Sequence, residues 1–296
     1  GAISFDELQE VLQFVGVRPA AGTCTLANLA KKAGYATGQV GKLEWGFSTT
    51  VREMAEHGWD EYFGYLDHIR AHGYYPPFLV ENGQVVPIGG NTDPHCGRPP
   101  YKGPDGHPDE ADRDRAGRAR YSQDLFDDWI LRFLRAHRDE PFFLYHPSQL
   151  PHGPVFYPDL HPQVADRRDL TRIEKEYASM VLRFDDTVGK VVDELERLGL
   201  SDRTLVIVAS DNGHTVHDYR RVGRTDPDTQ LDGVPTDDRN RPFRTETCGD
   251  VFNGNDGMAG LKFSNWNGGC VIPFLACCPP LIPAGTVCDR LAANYD

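Results

Sequence analysis

Apolar residues recur at helical spacing in three stretches of the chain and run without interruption in four others, and that division sets the expected fold. Leu26-Ala-Asn-Leu-Ala-Lys-Lys-Ala33 has the helical spacing and stops at Gly34, a C-terminal signal. Tyr121–His137 repeats it, with Leu125, Trp129 and Phe133 four apart on one face. Ile173–Leu198 reads as a long amphipathic helix with an apolar stripe of Tyr177, Val181, Phe184, Val188, Val191, Val192 and Leu195, ended by Gly199. The uninterrupted runs read as strands: Tyr35–Val40 closed by Gly41, Pro141–His146, Leu205–Ala209, and Cys270–Cys277 before Pro279-Pro280. Leu205-Val-Ile-Val-Ala209 is β-branched throughout its middle, as expected of a strand covered on both faces. Helix, short loop and strand in repetition predict an α/β fold with a mostly parallel central sheet flanked by helices. Two stretches lack any period. Residues 47–120 mix aromatics, Gly and Pro, 213–258 are polar and turn-rich, and both are expected to be irregular surface loops.

Composition narrows the class. A chain of 296 residues suits one or two domains. With 44 acidic against 31 basic residues and a net charge of −13, it lacks the basic footprint of a nucleic-acid binder. No apolar run approaches the ~20 residues of a membrane span. The seven cysteines form no C-x-x-C pair and no zinc spacing, so buried thiols are expected, with room for a disulfide. The chain starts at Gly1 with no basic-then-apolar signal segment.

In open α/β sheets, ligands bind beyond the carboxyl ends of strands, so the residues there are the first candidates. The strand 205–209 runs into Ser210-Asp211-Asn212-Gly213-His214. A carboxylate beside an amide oxygen offers two adjacent hard ligands for Ca²⁺ or Mg²⁺, although Asp-Asn-Gly is also a common turn. The strand 142–146 runs into Pro151-His152-Gly153-Pro154, where a histidine on a stiffened loop suits a proton donor or an anion contact. The strand 35–40 leads to Gly41-Lys42, which places a cation at a strand end, and Lys262 is a second lysine at such a place.

These residues resemble a family in order: the sulfatases, within the alkaline-phosphatase-like superfamily. Thr25–Thr37 followed by Gly41-Lys42 is similar to the helix–strand lead into the family's G-K-W-x-L-G motif. Gly58-Trp-Asp-Glu-Tyr-Phe-Gly-Tyr-Leu66, Ala71-His-Gly-Tyr-Tyr-Pro76 and Glu81-Asn-Gly83 resemble an arylsulfatase-like stretch. Pro141–Tyr145 with Pro151-His-Gly-Pro154 looks like "PFFLY…PHAP", and Leu205–Gly213 like the "TSDNG" strand end. Lys262-Phe-Ser-Asn-Trp-Asn-Gly-Gly269 with Pro273-Phe274 is similar to "K-x-x-x-x-E-G-G…V-P-F".

The resemblance implies an alkaline-phosphatase-like sandwich that hydrolyses an aryl or carbohydrate sulfate ester with one divalent ion, calcium before magnesium. It implies Asp211 and Asn212 as metal ligands, Lys42, His152 and Lys262 around the sulfate, and His214 as a substrate contact. The partner would be a small-molecule or glycan sulfate ester, and the location periplasmic or secreted. A non-catalytic relative that binds sulfated ligands and a phosphodiester or phosphonate hydrolase are the alternatives.

Four departures from the family pattern stand out. Residues 1–23 contain one aspartate, Asp6, and no Asp-Asp pair. The formylglycine motif C-x-P-S-R is missing, because Cys24 is followed by Thr-Leu-Ala and Arg18-Pro19 does not supply it. Glu44 stands where many members have His, and a carboxylate there would repel sulfate unless protonated or pointed away. Asn267 replaces the usual Glu. The expectation is therefore a single sulfatase domain over 1–296, incomplete at both ends, with poor activity of its own or none.

Overall fold

Thr25 starts the first helix as a capping residue. Its hydroxyl accepts from Asn28 N at 3.2 Å while the Asn28 side chain accepts from Thr25 N at 3.0 Å, which satisfies two N–H groups of α1 (Leu26–Lys32). Thr50 and Glu53 repeat that box at the start of α2 (Val51–Glu56). The computed structural model describes residues 19–20, 22–46, 49–98, 107–216, 229–235 and 238–292. They fall into two compact units. One comprises 1–100, 110–158 and 179–194, and the other 101–109, 159–178 and 195–296.

The first unit is built on five strands: β1 (Ala36–Lys42), β2 (Glu61–Tyr65), β3 (Phe78–Glu81), β4 (Gln84–Pro87) and β5 (Phe142–Tyr145). Their order is β4-β3-β2-β1-β5; β1 runs parallel to β2 and β5, while β2–β3 and β3–β4 are antiparallel. A parallel pair needs a crossover, and α3 (Ser122–Ala136) lies on β1. Gly38 makes that contact possible, since a Cβ there would sit 2.5 Å from the Phe133 ring. Phe63 meets Phe126 of α3 on the same face. Tyr62, one residue out of phase, clusters with Ala27 of α1, Trp45, Met54 and Trp59 on the other face.

The expectation of a loop over 47–120 is corrected here. Trp59, Tyr62, Phe63, Tyr65, Tyr74 and Tyr75 are all buried, and the segment contributes three strands to the sheet. Its strands are only four or five residues long, β2 and β3 buried along most of their length and β4 exposed at the sheet edge, so neither period 2 nor period 3.6 shows in the sequence.

The long helix α5 (Arg172–Arg197) is where the pattern predicts a helix, but the face it buries differs. Val181 and Val192 of the apolar stripe are exposed, whereas Ser179, Arg183, Thr187 and Glu194 are buried. Within the first unit, Arg183 Nη2 and Lys190 Nζ reach Asp127 Oδ2 of α3 at 2.9 and 2.6 Å, and Thr187 Oγ1 donates to Asp127 Oδ1 at 2.8 Å. A buried carboxylate with two cations and a hydroxyl holds this face, and apolar packing is secondary there.

The second unit contains α4 (Pro162–Ala165), β6 (Val206–Ala209), α6 (Asn267–Cys270) and β7 (Phe274–Cys277). β6 and β7 pair antiparallel, Val206 opposite Cys277 and Ala209 opposite Phe274. The expectation that 205–209 is covered on both faces does not hold among the described residues. Leu205 and Ile207 are about half exposed, and every residue of β7 is exposed. Two strands form a ribbon whose alternate side chains meet no second layer. No helix of the described residues is long and apolar enough to cross a membrane. All seven cysteines are free thiols.

Candidate functional site

Lys42 is the last residue of β1, and its position follows from backbone packing. Gly41 faces Gly64 across the β1–β2 pair, and a Cβ on Gly64 would lie 1.9 Å from the Gly41 oxygen. Lys42 N then donates to Pro147 O at 3.0 Å and Leu43 N to Tyr65 O at 2.8 Å. His146 fastens the same strand end: its Nδ1 donates to Val40 O at 2.6 Å, which makes Nε2 the acceptor for Gln123 Nε2 at 3.1 Å. Burial pushes the His146 imidazole below its ordinary value, and that fixed neutral tautomer suits the two bonds.

His152 follows β5 on the segment the sequence singled out. Its backbone is held by Tyr74 OH, which donates to His152 O, and by Gln149 O, which accepts from His152 N at 3.0 Å. Gln149 in turn is clamped by Ser122 Oγ at 2.6 Å and donates to Ala71 O at 2.8 Å. The His152 Nδ1 donates to Gly153 O, so the proton of a neutral ring sits on that nitrogen.

Three imidazoles gather at this end of the sheet. The His72 and His152 rings stack at 4.5 Å with 7° between their planes, and His68 meets His72 edge-on at 5.6 Å. Burial, and then His152, Lys42, His68 and Arg98, push His72 down to about 3. Lys42 and His152, 110 positions apart in sequence, therefore act on one side chain. Glu44, the carboxylate expected to repel sulfate, is paired with His68 Nδ1 at 2.7 Å. Neither His68 nor His72 was a candidate from sequence, although Ala71-His-Gly-Tyr-Tyr-Pro76 was read as a motif. The signal that would have found them is histidine density: His68, His72 and His152 are three of eleven in the chain.

The second unit holds the other candidates. Asp211 and Asn212 follow β6 directly, with Asn212 Nδ2 donating to Gly213 O at 2.9 Å and Ser210 Oγ to Asn212 O at 2.8 Å. Gly213 packs on the α6 start, where a Cβ would lie 1.9 Å from Gly268 O. His214 is tied on both ring nitrogens: Tyr177 OH lies 3.2 Å from Nδ1, and Asp250 Oδ2 lies 3.7 Å from Nε2. Burial lowers the His214 value against the pull of Asp250. Lys262 N donates to His214 O at 2.9 Å, and the Lys262 ammonium sits 5.3 Å over the ring of Phe263. Tyr177, read in sequence as part of an apolar stripe, and Asp250, in a stretch read as loop, were missed because their partner is distant in the chain.

A divalent ion of the Ca²⁺ type takes 6–8 oxygens in general. Asp211 and Asn212 supply two adjacent ones, and no cluster of three or more His, Cys, Asp or Glu suited to a metal occurs among the described residues. The donor set present does not by itself fit such an ion. Residues 1–18, where the family's Asp pair is missing from the sequence, lie outside the described residues.

The chain is similar to sulfatases by sequence and by fold. It is 28% identical over 274 residues to N-acetylgalactosamine-6-sulfatase of Mus musculus, covering 92% of this chain and 43% of the relative. It is 28% identical over 235 residues to N-acetylgalactosamine-6-O-sulfatase of Bacteroides thetaiotaomicron, covering 66% and 43%. With arylsulfatase J of Mus musculus it shares 25% identity over 96% of this chain and 40% of the relative. It thus spans less than half the length of these relatives. Among solved structures, a Bacteroides thetaiotaomicron protein described with glycosaminoglycan metabolism aligns with a TM-score of 0.59 at 22% identity, over 90% of this chain and 56% of that one. The protein i-CgsB in complex with a neocarrahexaose aligns with a TM-score of 0.58 at 21% identity, over 93% and 53%. These likenesses establish the alkaline-phosphatase-like fold. The profile of the sulfatase family matches residues 4–295, and the chain belongs to that family.

Proposed function

We propose that the chain is the sulfuric ester hydrolase part of a protein acting on a sulfated glycan, with Lys42, His152 and Lys262 as its catalytic residues. The convergence of Lys42 and His152 on His72 carries this reading, because it assembles a cation and a proton carrier at the carboxyl end of parallel strands. Lys42 and Lys262 would neutralise charge on the sulfuryl oxygens as the ester S–O bond breaks. Protonated His152, with Nδ1–H held by Gly153 O, would deliver the Nε2 proton to the leaving oxygen. Water is consumed overall, and sulfate and an alcohol are released. His72, kept neutral beside them, would set the ring plane of His152 without adding positive charge. His214 takes the role of a positioning residue, since Tyr177 and Asp250 lie at its two ring nitrogens. Asp211 and Asn212 stay as the residues that would contribute to holding a divalent ion, calcium before magnesium.

The names of the relatives support a carbohydrate sulfate over a simple aryl sulfate, and a periplasmic or secreted location goes with such a substrate. The test is turnover and binding of N-acetylgalactosamine 6-sulfate and 4-nitrocatechol sulfate by the unmutated protein and its His152→Ala variant. Turnover should fall by about 10²-fold or more with binding retained. Unchanged turnover removes His152 from the mechanism. Binding with no turnover in the unmutated protein moves the chain to a sulfate-binding role.

A further inference from the structure

β1 and β5 keep one register up to the strand end and lose a donor there. Ala36 N donates to Pro141 O at 2.9 Å and Lys42 N to Pro147 O at 3.0 Å, the same offset along both strands. In a parallel ladder of that register the N–H that reaches the Val40 carbonyl belongs to position 147, and Pro147 has none. Val40 is fully buried, so its carbonyl cannot turn to water instead. The His146 side chain supplies the missing bond, with Nδ1 2.6 Å from Val40 O. Its ring also lies against Gly41, where a Cβ would sit 3.3 Å from Nδ1. One imidazole thus takes over the ladder at the two residues that precede Lys42.

The proton for that bond is dictated from deeper in the first unit. Gln123 Nε2 lies 3.0 Å from Asp127 Oδ1, 3.2 Å from Thr187 Oγ1 and 3.1 Å from His146 Nε2. Gln123, Asp127 and Thr187 are all buried, and Asp127 is paired with Arg183 and Lys190. Turning the amide over would set Gln123 Oε1 against the carboxylate. The amide NH₂ therefore faces this way, although Oε1 is left buried with no hydrogen-bond partner among the described residues. A buried acceptor without a partner marks a constraint that outweighs it. An NH₂ at His146 Nε2 requires a lone pair there, so the ring proton sits on Nδ1, where Val40 O accepts it. The carboxylate sets the amide, the amide sets the tautomer, and the tautomer sets the strand end.

We propose that His146 is a positioning residue for Lys42: held as the Nδ1–H tautomer by Asp127 through Gln123, it fixes the end of β1 and with it the place where the Lys42 ammonium is presented. His146 acts through the backbone and carries no proton for the reaction. An apolar side chain at 146 would fill the same space and leave Val40 O unpaired. Burial holds the ring below its ordinary value against the pull of Asp127, the charged group that acts on it, so the neutral form persists at neutral pH. Only the catalytic role of Lys42 rests on the hydrolase reading; where its ammonium sits can be measured without turnover.

The test uses the whole chain. Long-range ¹H–¹⁵N spectra should show His146 as the Nδ1–H tautomer, unchanged between pH ~5.5 and ~8. Gln123→Leu removes the N–H that favours the neutral ring and should raise the His146 titration towards the ordinary histidine range. Reductive ¹³C-dimethylation gives each lysine a methyl signal, and that of Lys42 is the one absent from Lys42→Arg. His146→Leu should shift this signal, and His146→Asn, whose amide N–H can still reach Val40 O, should restore it. Turnover of 4-nitrocatechol sulfate should follow the signal, with kcat about tenfold lower in His146→Leu and within about threefold of the parent in His146→Asn. The assignment is overturned if the parent carries its proton on Nε2, if His146→Leu leaves the Lys42 signal in place, or if His146→Asn shifts it as far. An unmoved His146 titration in Gln123→Leu refutes the hold by Asp127 and Gln123. If His146→Leu does not fold, the parent's tautomer and the Lys42 signal of His146→Asn decide. An inactive protein fails the hydrolase reading and leaves the methyl signal to judge this one.

Discussion

The candidate residues of the two units are held differently. Lys42 and His152 stand near strand ends, placed by backbone: a glycine-on-glycine contact between β1 and β2, and backbone hydrogen bonds to Pro147, Gln149 and Tyr65. Asp211, Asn212 and Lys262 stand on loops placed by side chains, with Asn255, Asp250 and Ser264 each tying two segments or two turns together. The first kind of site tolerates no added atom, and the second tolerates no lost acceptor. The histidines follow the same division. His72 faces Lys42, Arg98 and two imidazoles and His214 faces a carboxylate, and burial is the main cause that depresses both.

The largest expected effect breaks the strand-end half. Gly64→Ala puts a Cβ 1.9 Å from Gly41 O at φ +151°, and should cost more than ~4 kcal/mol, to the point of abolishing folding. A urea midpoint near that of the parent would show that the two strands can part freely there. Next comes the loop half. Asp250 has no exposed side-chain surface and accepts from Phe252 N at 2.8 Å and Gly254 N at 2.6 Å. Asp250→Ala should cost roughly 2–4 kcal/mol by stranding those donors, while leaving the ring signals of His72 and His152 in place. Shifts in both histidines would mean that the halves are not independent in this sense.

The pH dependence should separate two further histidines. His72 has a folded value of about 3, below the ~6.5 of an unfolded histidine, so the unfolded chain takes up the proton first. Stability should fall as pH drops from ~6.5 towards 3, and His72→Asn should flatten that limb. His137 is the reverse case. It is raised by Glu140 and Glu61, at 2.8 and 2.7 Å, against the opposing effect of burial. Its contribution is fully present below ~6.5 and is lost as pH rises through the folded value. His137→Ala should remove the alkaline limb only, and identical profiles for the two variants would refute the assignment. The smallest effect is that of Glu44→Gln. The Glu44–His68 pair is more than a third exposed, so the thermal midpoint should move by the equivalent of less than ~1 kcal/mol.

Much of this was legible in the residues. Helices α1, α3 and α5 and strands β1, β5, β6 and β7 lie where periodicity and apolar runs place them, because each is local and one face or run dominates its composition. The segment 58–88, whose aromatics are buried, was taken for loop because its strands are too short for any period to repeat. The carboxylate at Glu44 was read as a repulsion, since nothing in the sequence tells that His68 turns to face it. Tyr177 was counted as apolar, and only its 3.2 Å approach to His214 separates a phenol that packs from one that bonds.

The family pattern and the identity of the candidate residues came from the sequence alone, because motifs at strand ends are short and contiguous. Which of those residues share a neighbourhood was decided by tertiary structure. Lys42 comes within electrostatic reach of His72, on which His152 stacks, only through sheet order and the clamps of Gln149 and Tyr74, and His214 meets Asp250 only through the folding of the 250–264 loop. Strand ends and loops bring distant residues together through hydrogen bonds and sterics that depend on three-dimensional register, and a linear pattern carries no trace of that register.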